Sequence, residues 1–232
     1  MGTKLIKFDN VKNIMSFLQK PTVKIAEALT GVLASDLKDW KFSAGKIVQA
    51  TIKGNLLTQL GRELKKYQEA GKIKEDYLES DANRASLKEL LKFIDDEAPD
   101  ELRFKAVKSI FLSSVEKNVT GPDELLMYDM LQLCKKLSSG EILMLKVIWG
   151  MGKKSGLSIA NTSNNTKEWR KAVAKELGHN IEAIVEVHEQ KLMETRMITS
   201  WQYEDKSAFE GTPSFRLTTL GLKFCELMTR YN

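Results

Sequence analysis

Cysteine is scarce in this chain: only Cys134 and Cys225 occur among its 232 residues. Both stand among apolar residues at helical spacing, which is typical of buried free thiols and not of a disulfide framework. Neither belongs to a pattern with the ligand spacing of a zinc knuckle. We therefore expect a protein of a reducing compartment, the cytoplasm, with no metal site.

Long apolar segments are also missing. No run of about twenty uncharged apolar residues occurs, which excludes a membrane-spanning helix of ordinary length. The first residues lack the continuous apolar stretch and the small-residue cleavage site of a signal peptide, so none is expected. The basic, amphipathic residues 1–74 could lie on an anionic membrane surface, but acidic residues interrupt their positive face. Peripheral membrane contact is therefore a disfavoured alternative.

Recognisable catalytic motifs are absent as well. The two histidines, His179 and His188, are nine residues apart, off the four-residue spacing of a zinc-binding pair. The stretch 150–156 is similar to a phosphate-binding loop, but it lacks the first glycine and follows a helix instead of a strand. The acidic cluster at 95–101 straddles a helix break, where carboxylates favour the start of the next helix. We expect a protein that is not an enzyme and holds no cofactor.

Charge is present in quantity but is unevenly distributed. Residues 1–74 carry a net charge of +8, residues 75–130 carry −7 and residues 131–232 carry +4. A basic segment next to an acidic one favours internal pairing or head-to-tail self-association over a continuous nucleic-acid groove. A protein partner or a homo-oligomer is therefore the expected partner, and DNA is the second possibility.

The pattern of residues 1–137 predicts a helical domain. Apolar residues recur at three- and four-residue steps, as on amphipathic helices, in five stretches. These are residues 22–40, 47–67, 81–94, 102–115 and 125–133. Ser80 or Asp81 is expected to cap the third stretch, and residues 119–123 form a turn before the fifth.

Residues 138–232 predict a second domain, which opens with three helices. Ser138 and Glu141 have the spacing of a capping box at the start of the first helix, which Gly150 and Gly152 are expected to end. Gly178 occupies the stop position of the second helix. The predicted inward stripe of the third helix contains six residues: Ile181, Ile184, Val185, His188, Leu192 and Thr195.

Two strands and a closing helix are predicted after these helices. Alternating β-branched and aromatic residues favour strands at 197–203 and 214–217, joined by a polar wing at 204–213. Thr218 or Thr219 is expected to cap the closing helix. The predicted fold class is mainly α: an N-terminal helical domain plus a C-terminal winged-helix domain with a small β-hairpin.

Residues in this C-terminal part also resemble a known protein family. Residues 169–178 followed by 180–198 resemble the second and third helices of bacterial winged-helix proteins, and residues 215–221 are similar to their strand-to-helix entry. The resemblance implies that the third helix would enter the major groove of DNA. It is stronger for the fold than for the function.

The predicted surface of the third helix argues against reading DNA. It is dominated by carboxylates, and DNA is a dense line of negative charge whose neutralisation supplies much of the binding affinity. The candidate protein-contact residues are Glu182, Glu186, Glu189 and Lys191. The candidate nucleic-acid contacts are Lys153, Lys154, Lys167, Arg170, Lys171, Lys175 and Arg216.

A second resemblance concerns context. Residues 100–112 followed by 132–141 resemble uncharacterised bacterial helical proteins, some of which are linked to abortive infection and phage defence. It assigns no functional residues. The favoured interpretation is a non-enzymatic scaffold or regulatory subunit in a bacterial phage-defence complex. The alternatives are a winged-helix DNA-binding transcriptional regulator and a membrane-associated abortive-infection effector.

Overall fold

The structure is a computed structural model and describes residues 44–155, 166–178, 181–199 and 216–231. This part of the chain is mainly helical, as predicted. Its eight α-helices are α1 (Ala44–Glu69), α2 (Asp81–Glu97), α3 (Glu101–Ser114), α4 (Pro122–Lys136), α5 (Ser139–Ser155), α6 (Thr166–Glu176), α7 (Glu182–Glu194) and α8 (Thr219–Thr229). A short 3₁₀ helix spans Tyr77–Glu79. Within the described ranges, each helix is too short or too polar to cross a bilayer.

The described residues cluster into two compact units. The first unit contains residues 44–99 and 114–124, and the second contains the described residues from 100–113 and 125–231. In the second unit, the Ser109 hydroxyl of α3 donates to the carbonyl of Leu227 in α8 at 2.6 Å. These units divide the chain differently from the predicted segments 1–137 and 138–232. Whether those segments are independent domains stays a prediction.

In the first unit, α1 and α2 pack through apolar stripes at helical spacing. Leu60 and Leu64 of α1 and Leu87 and Leu90 of α2 are buried. Full burial of such a side chain contributes about 1.5–3 kcal/mol, so these stripes are the main stabilising contribution in the unit. The predicted helical stretch 47–67 is confirmed, and α1 runs from Ala44 to Glu69 without a break at its internal glycines.

The capping of α2 also follows the sequence. Ser80 is the N-cap, and its hydroxyl accepts a hydrogen bond from the Asn83 amide N–H at 3.4 Å. The helix ends at Ala98, whose φ of 42° is left-handed. Before the helix, Ile73 forms an isolated antiparallel bridge with Glu116. This bridge ties the segment after α1 to the segment before α4.

A largely buried ion pair holds the start of α2 and the start of α4 together. The ammonium of Lys74 donates to Oε1 of Glu124 at 2.7 Å, and the Ser80 hydroxyl donates to Oε2. Burial by itself raises the pKa of Glu124, but the hydrogen bonds from Lys74 and Ser80 outweigh it. The pKa of this carboxyl therefore lies below its ordinary value.

This lowered pKa makes the first unit sensitive to acid. A carboxyl whose pKa is depressed by folding stabilises the protein above the unfolded value, about 4.3, and loses that contribution as the pH falls through the folded pKa. Glu124→Gln is expected to lower the free energy of unfolding at pH 7 by about 1.5–3 kcal/mol. Denaturant unfolding between pH 7 and pH 3 should show the gap from wild type closing below about pH 4. A gap that stays constant with pH would contradict the role given to the ionised carboxylate.

In the second unit, local capping positions α3 and α5. Oδ1 of Asp100 accepts hydrogen bonds from the amides of Leu102 and Arg103 at 2.9 and 3.1 Å, so this member of the acidic cluster caps α3. The predicted capping box of α5 is confirmed. Ser138 N–H donates to Oε2 of Glu141 at 2.7 Å, and Glu141 N–H donates to Oγ of Ser138 at 3.3 Å.

The predicted end of α5 is wrong. The helix continues through Gly150 and Gly152 to Ser155. A glycine lowers helix stability by only about 1 kcal/mol, which an apolar helix recovers by packing its flanking residues. Ile148, two residues before Gly150, is buried.

Both cysteines lie in the second unit. Cys134 and Cys225 are buried and are not joined in a disulfide, as expected. Burial raises the pKa of the Cys134 thiol, which keeps it protonated near neutral pH.

Candidate functional site

The helices α6 and α7 pack against each other, and α7 also packs against α5. Gly178 ends α6 with a φ of 80°, and its N–H donates to the carbonyl of Lys175 at 3.0 Å. This confirms the predicted stop, because glycine adopts left-handed backbone without a steric penalty. Residues 179–180, where the third helix was expected to begin, lie outside the described residues.

The orientation of α7 differs from the prediction. Its buried residues are Val185, Glu189 and Leu192, which follow one another at four- and three-residue steps. Ile181 and Ile184, predicted to face inward, are exposed. Glu189, predicted to face outward, is only 1% exposed. The predicted stripe is therefore right for Val185 and Leu192 and wrong for Ile181 and Ile184.

A cluster of ion pairs explains why Glu189 is buried. Oε1 of Glu189 pairs with Nη1 of Arg216, and Oε2 accepts a hydrogen bond from Nε of Arg170 at 2.6 Å. Nη1 of Arg170 also lies 2.8 Å from Oε1 of Glu186. We call Arg170, Glu186, Glu189 and Arg216 the arginine–glutamate cluster. It satisfies a carboxylate whose burial would otherwise be strongly unfavourable.

Arg216 is enclosed on several sides. Its Nε donates to the carbonyl of Thr199 at 2.9 Å, its Nη2 lies 3.4 Å from the sulfur of Met193, and its guanidinium lies 4.6 Å from the ring centroid of Trp169. A guanidinium over an aromatic face is a cation–π arrangement. Burial lowers the pKa of Arg216, and the neighbouring Glu189 opposes that shift. Arg216 therefore serves as an internal anchor.

The segment that carries Arg216 pairs with the residues after α7. Ile198 and Leu217 form an isolated antiparallel bridge, Thr199 N–H donates to the carbonyl of Arg216 at 2.7 Å, and Thr218 N–H donates to that of Met197 at 3.1 Å. The rest of the predicted strands and all of the wing at 204–213 lie outside the described residues. Thr218 caps α8, as expected, by accepting a hydrogen bond from Gly221 N–H at 2.9 Å.

The candidate nucleic-acid contacts separate into three groups. Arg216 is buried, and Arg170 is held by two glutamates, so their assignment as exposed basic contacts is corrected. Lys171 and Lys175 are exposed on α6. The side chains of Lys153, Lys154 and Lys167 lie outside the described part of the structure.

The candidate protein-contact residues also differ in their exposure. The assignment of Glu189 as a protein contact is corrected, because this residue is buried and its carboxylate cannot reach a partner protein. Glu186 is exposed, although it pairs with Arg170, and Glu182 is partly exposed. Lys191 is exposed and lies 3.0 Å from Glu194 on the same helix.

The position of Glu189 in the sequence already indicates the arginine–glutamate cluster, although the predicted helix stripe left this residue out. Glu189 is four residues after Val185 and three before Leu192, so it shares their helix face. A carboxylate between two core positions predicts a buried cationic partner. The identity of that partner could not be read from spacing, because Arg170 and Arg216 lie 19 and 27 residues away in the chain.

The helix α7 also lies close to α5. The imidazole of His188 lies over Gly140, where a Cβ atom would overlap the ring. Nδ1 of His188 is 3.8 Å from Oε1 of Glu141, the residue of the capping box. Glycine at position 140 therefore lets α7 approach the first turn of α5.

The exposed side of α7 carries an apolar stripe in addition to the predicted carboxylates Glu186 and Glu194. Ile181, Ile184 and Val187 are exposed, and Val187 is 66% accessible. Comparisons with protein-family models, with curated proteins and with solved structures found no match. The features of the described residues that bear on function are therefore the apolar stripe on α7 and the arginine–glutamate cluster.

Proposed function

We propose that this chain is a non-enzymatic docking protein and that its contact surface is the apolar stripe on α7. The stripe consists of Ile181, which is the N-cap residue of α7, and of Ile184 and Val187, which are three residues apart and so are neighbours on successive turns of the helix. The observation that carries the proposal is their exposure on α7, away from its buried residues Val185, Glu189 and Leu192. A single exposed apolar residue is ordinary, but a row of them on one helix is typical of a contact surface.

The partner that fits this surface has an apolar patch with basic residues around it. Glu182 and Glu186 are carried by the same turns of α7 as the stripe. Two copies meeting through the same stripe would bring these glutamates close together, because a twofold interface uses the same patch twice. Like charges in an interface are unfavourable, so we propose a different protein as the partner and not a second copy.

A winged-helix arrangement of the second unit is part of the proposal. The order α5, α6, α7, the bridge between Ile198 and Leu217, and α8 supports it. In that arrangement α7 would occupy the position of the DNA-reading helix. Its exposed isoleucines, valine and glutamates would meet base edges and phosphates poorly, and this supports protein contact over DNA.

DNA binding is the alternative, through the exposed Lys171 and Lys175 of α6. A place in a bacterial phage-defence complex is supported by sequence resemblance alone. A membrane-associated effector would use the basic residues 1–74. Among these alternatives, DNA binding is the one for which described residues, the two lysines, offer a direct test.

Placing a charged side chain within the apolar stripe tests the docking proposal. Val187→Lys is expected to abolish capture of a specific protein from a native lysate, because an ammonium in an apolar contact would be buried unpaired. Loss of at least tenfold in capture corresponds to about 1.4 kcal/mol of binding free energy. Pull-down with quantitative mass spectrometry, using the full chain as bait, measures it.

Leu125→Lys is the matched control, since Leu125 on α4 is 59% exposed and the same charge is introduced. A partner lost with Val187→Lys but retained with Leu125→Lys supports the proposal. A partner retained by both variants contradicts it, as does a wild-type dimer in light scattering that Val187→Lys dissociates. Salt-sensitive duplex binding that Lys171→Glu and Lys175→Glu weaken would instead establish the alternative.

A further inference from the structure

The second residue of α5 and the centre of α7 are complementary in shape. A Cβ atom at position 140 would overlap Nε2 and Cε1 of His188 and would lie 3.1 Å from Cδ2 of the same ring. Protein interiors are close-packed and cannot hold two atoms in one place, so only glycine fits at position 140 while the imidazole occupies its present position. The ring fills the volume that a side chain at position 140 would need.

No hydrogen bond from the described residues accounts for the position of this ring. Nδ1 of His188 is buried and has no hydrogen-bond partner among them. Oε1 of Glu141 lies 3.8 Å from Nδ1, which is beyond hydrogen-bond distance. Glu141 is itself fixed by the capping box, because its Oε2 accepts a hydrogen bond from Ser138 N–H. Packing against the first turn of α5 therefore sets where the imidazole lies.

His188 is the neighbour of Glu189, which belongs to the arginine–glutamate cluster. Consecutive residues on an α-helix point about 100° apart, because 3.6 residues make one turn. The two residues therefore hold α7 from two directions, with His188 against Gly140 of α5 and Glu189 against Arg170 of α6. A single contact would leave α7 free to turn about its axis, whereas two contacts at this angle fix its rotation.

We infer that the contact between Gly140 and His188, together with the arginine–glutamate cluster, fixes the rotation of α7 and so determines which of its residues are exposed. With the rotation fixed, Val185 is buried and Val187 is 66% exposed. The contact thereby positions the apolar stripe. Its consequence for docking rests on the proposed function, whereas the contact itself does not.

Gly140→Ala tests the contact, because it adds one methyl group where the imidazole lies. It is expected to raise the equilibrium constant for unfolding about tenfold, since an overpacked contact forces side chains or backbone to shift. In a His188→Ala background the same change should leave that constant unchanged or lower it, because the space is open and alanine favours a helix over glycine. Denaturant unfolding of the full chain measures the single variants, the double variant and the wild type. Equal effects in both backgrounds would overturn the inference, because residues in contact are not additive.

Gly150→Ala is the matched control. It makes the same substitution on the same helix, at a position where the added Cβ meets no atom within 4 Å. Its effect on unfolding is expected to be the same in the wild-type and His188→Ala backgrounds. If the effect of Gly150→Ala changes between backgrounds as much as that of Gly140→Ala, His188→Ala acts on the whole unit, and the inference of a local contact is overturned.

Thiol labelling distinguishes a turned α7 from general unfolding. Val185→Cys places a thiol on the buried side of α7, and the native Cys134 and Cys225 are buried in the same unit. In the Gly140→Ala background we expect the thiol at position 185 to react faster than the native thiols, because α7 turns while the rest of the unit stays folded. Mass spectrometry of the labelled peptides measures each rate. A thiol at position 185 that reacts no faster than the native ones would overturn the inference.

The results for the contact and for docking are separable. If Val187→Lys leaves capture of the partner unchanged, the docking surface is wrong, and unfolding and labelling still decide the contact. If Val187→Lys abolishes capture while a Gly140→Ala variant with a turned α7 retains it, the docking surface stands. The role of the contact in positioning the stripe is then overturned.

Discussion

Replacing Glu189 by glutamine is expected to lower the free energy of unfolding by about 3 kcal/mol, because it leaves the buried guanidinium of Arg216 without its anion. The glutamine keeps the shape of the side chain, so the loss reports the missing charge. Arg216 is 4% exposed and cannot turn to solvent without breaking its hydrogen bond to the Thr199 carbonyl. Thermal unfolding should show a decrease of about 6–12 °C in Tm, since each kcal/mol shifts a chain of this size by about 2–4 °C.

Glu186→Gln is the matched control for this prediction. It makes the same substitution on the same helix and also removes a carboxylate that contacts Arg170. Because Glu186 is exposed, the expected loss is below about 1 kcal/mol. Equal losses for the two variants would contradict the view that burial of the cluster sets its importance.

Gly221→Ala is expected to destabilise the second unit by about 3 kcal/mol or to separate α8 from the bridge before it. A Cβ atom at position 221 would overlap the carbonyl oxygen of Met197 and would lie 3.2 Å from Cδ2 of Leu217. That oxygen also accepts the hydrogen bond from Thr218 N–H, so it has no room to withdraw without breaking the bridge region. Denaturant unfolding followed by circular dichroism measures the loss.

Gly150→Ala provides the comparison, because a Cβ at position 150 of α5 meets no atom within 4 Å. In an open helical position alanine is more favourable than glycine by about 0.5–1 kcal/mol, so this variant should be more stable than the wild type. If Gly221→Ala lowers the free energy of unfolding and Gly150→Ala raises it, close packing and not helix propensity requires glycine at position 221. A stable, unperturbed Gly221→Ala would contradict the close approach of α8 to Met197.

The arginine–glutamate cluster and the apolar stripe are two consequences of one orientation of α7. Turning Glu189 inward to meet Arg170 and Arg216 turns Ile184 and Val187 outward. A variant that weakens the cluster is therefore expected to weaken docking as well, although it touches no residue of the stripe. This dependence rests on the proposed docking function and is separable from it by the Val187→Lys measurement.

Four of the helix boundaries follow from the sequence because their causes are local. Ser80, the pair of Ser138 and Glu141, Gly178 and Thr218 all occupy the terminal positions that their side chains or backbone freedom predict. Each of these contacts joins residues no more than four positions apart. Such signals are complete within a short stretch of chain, so no tertiary information is needed to read them.

The sequence by itself determined the helical class, the caps that begin α2, α5 and α8, the glycine that ends α6, and the burial of both cysteines. Only the tertiary structure decided that Glu189 and not Ile184 of α7 is buried, which arginines are internal, and whether α5 continues through Gly150 and Gly152. The reason is that the burial of a carboxylate depends on cations brought from elsewhere in the chain. Hydrophobic periodicity ranks Ile184 as a core residue and Glu189 as a surface residue, but two arginines 19 and 27 residues from Glu189 reverse that ranking.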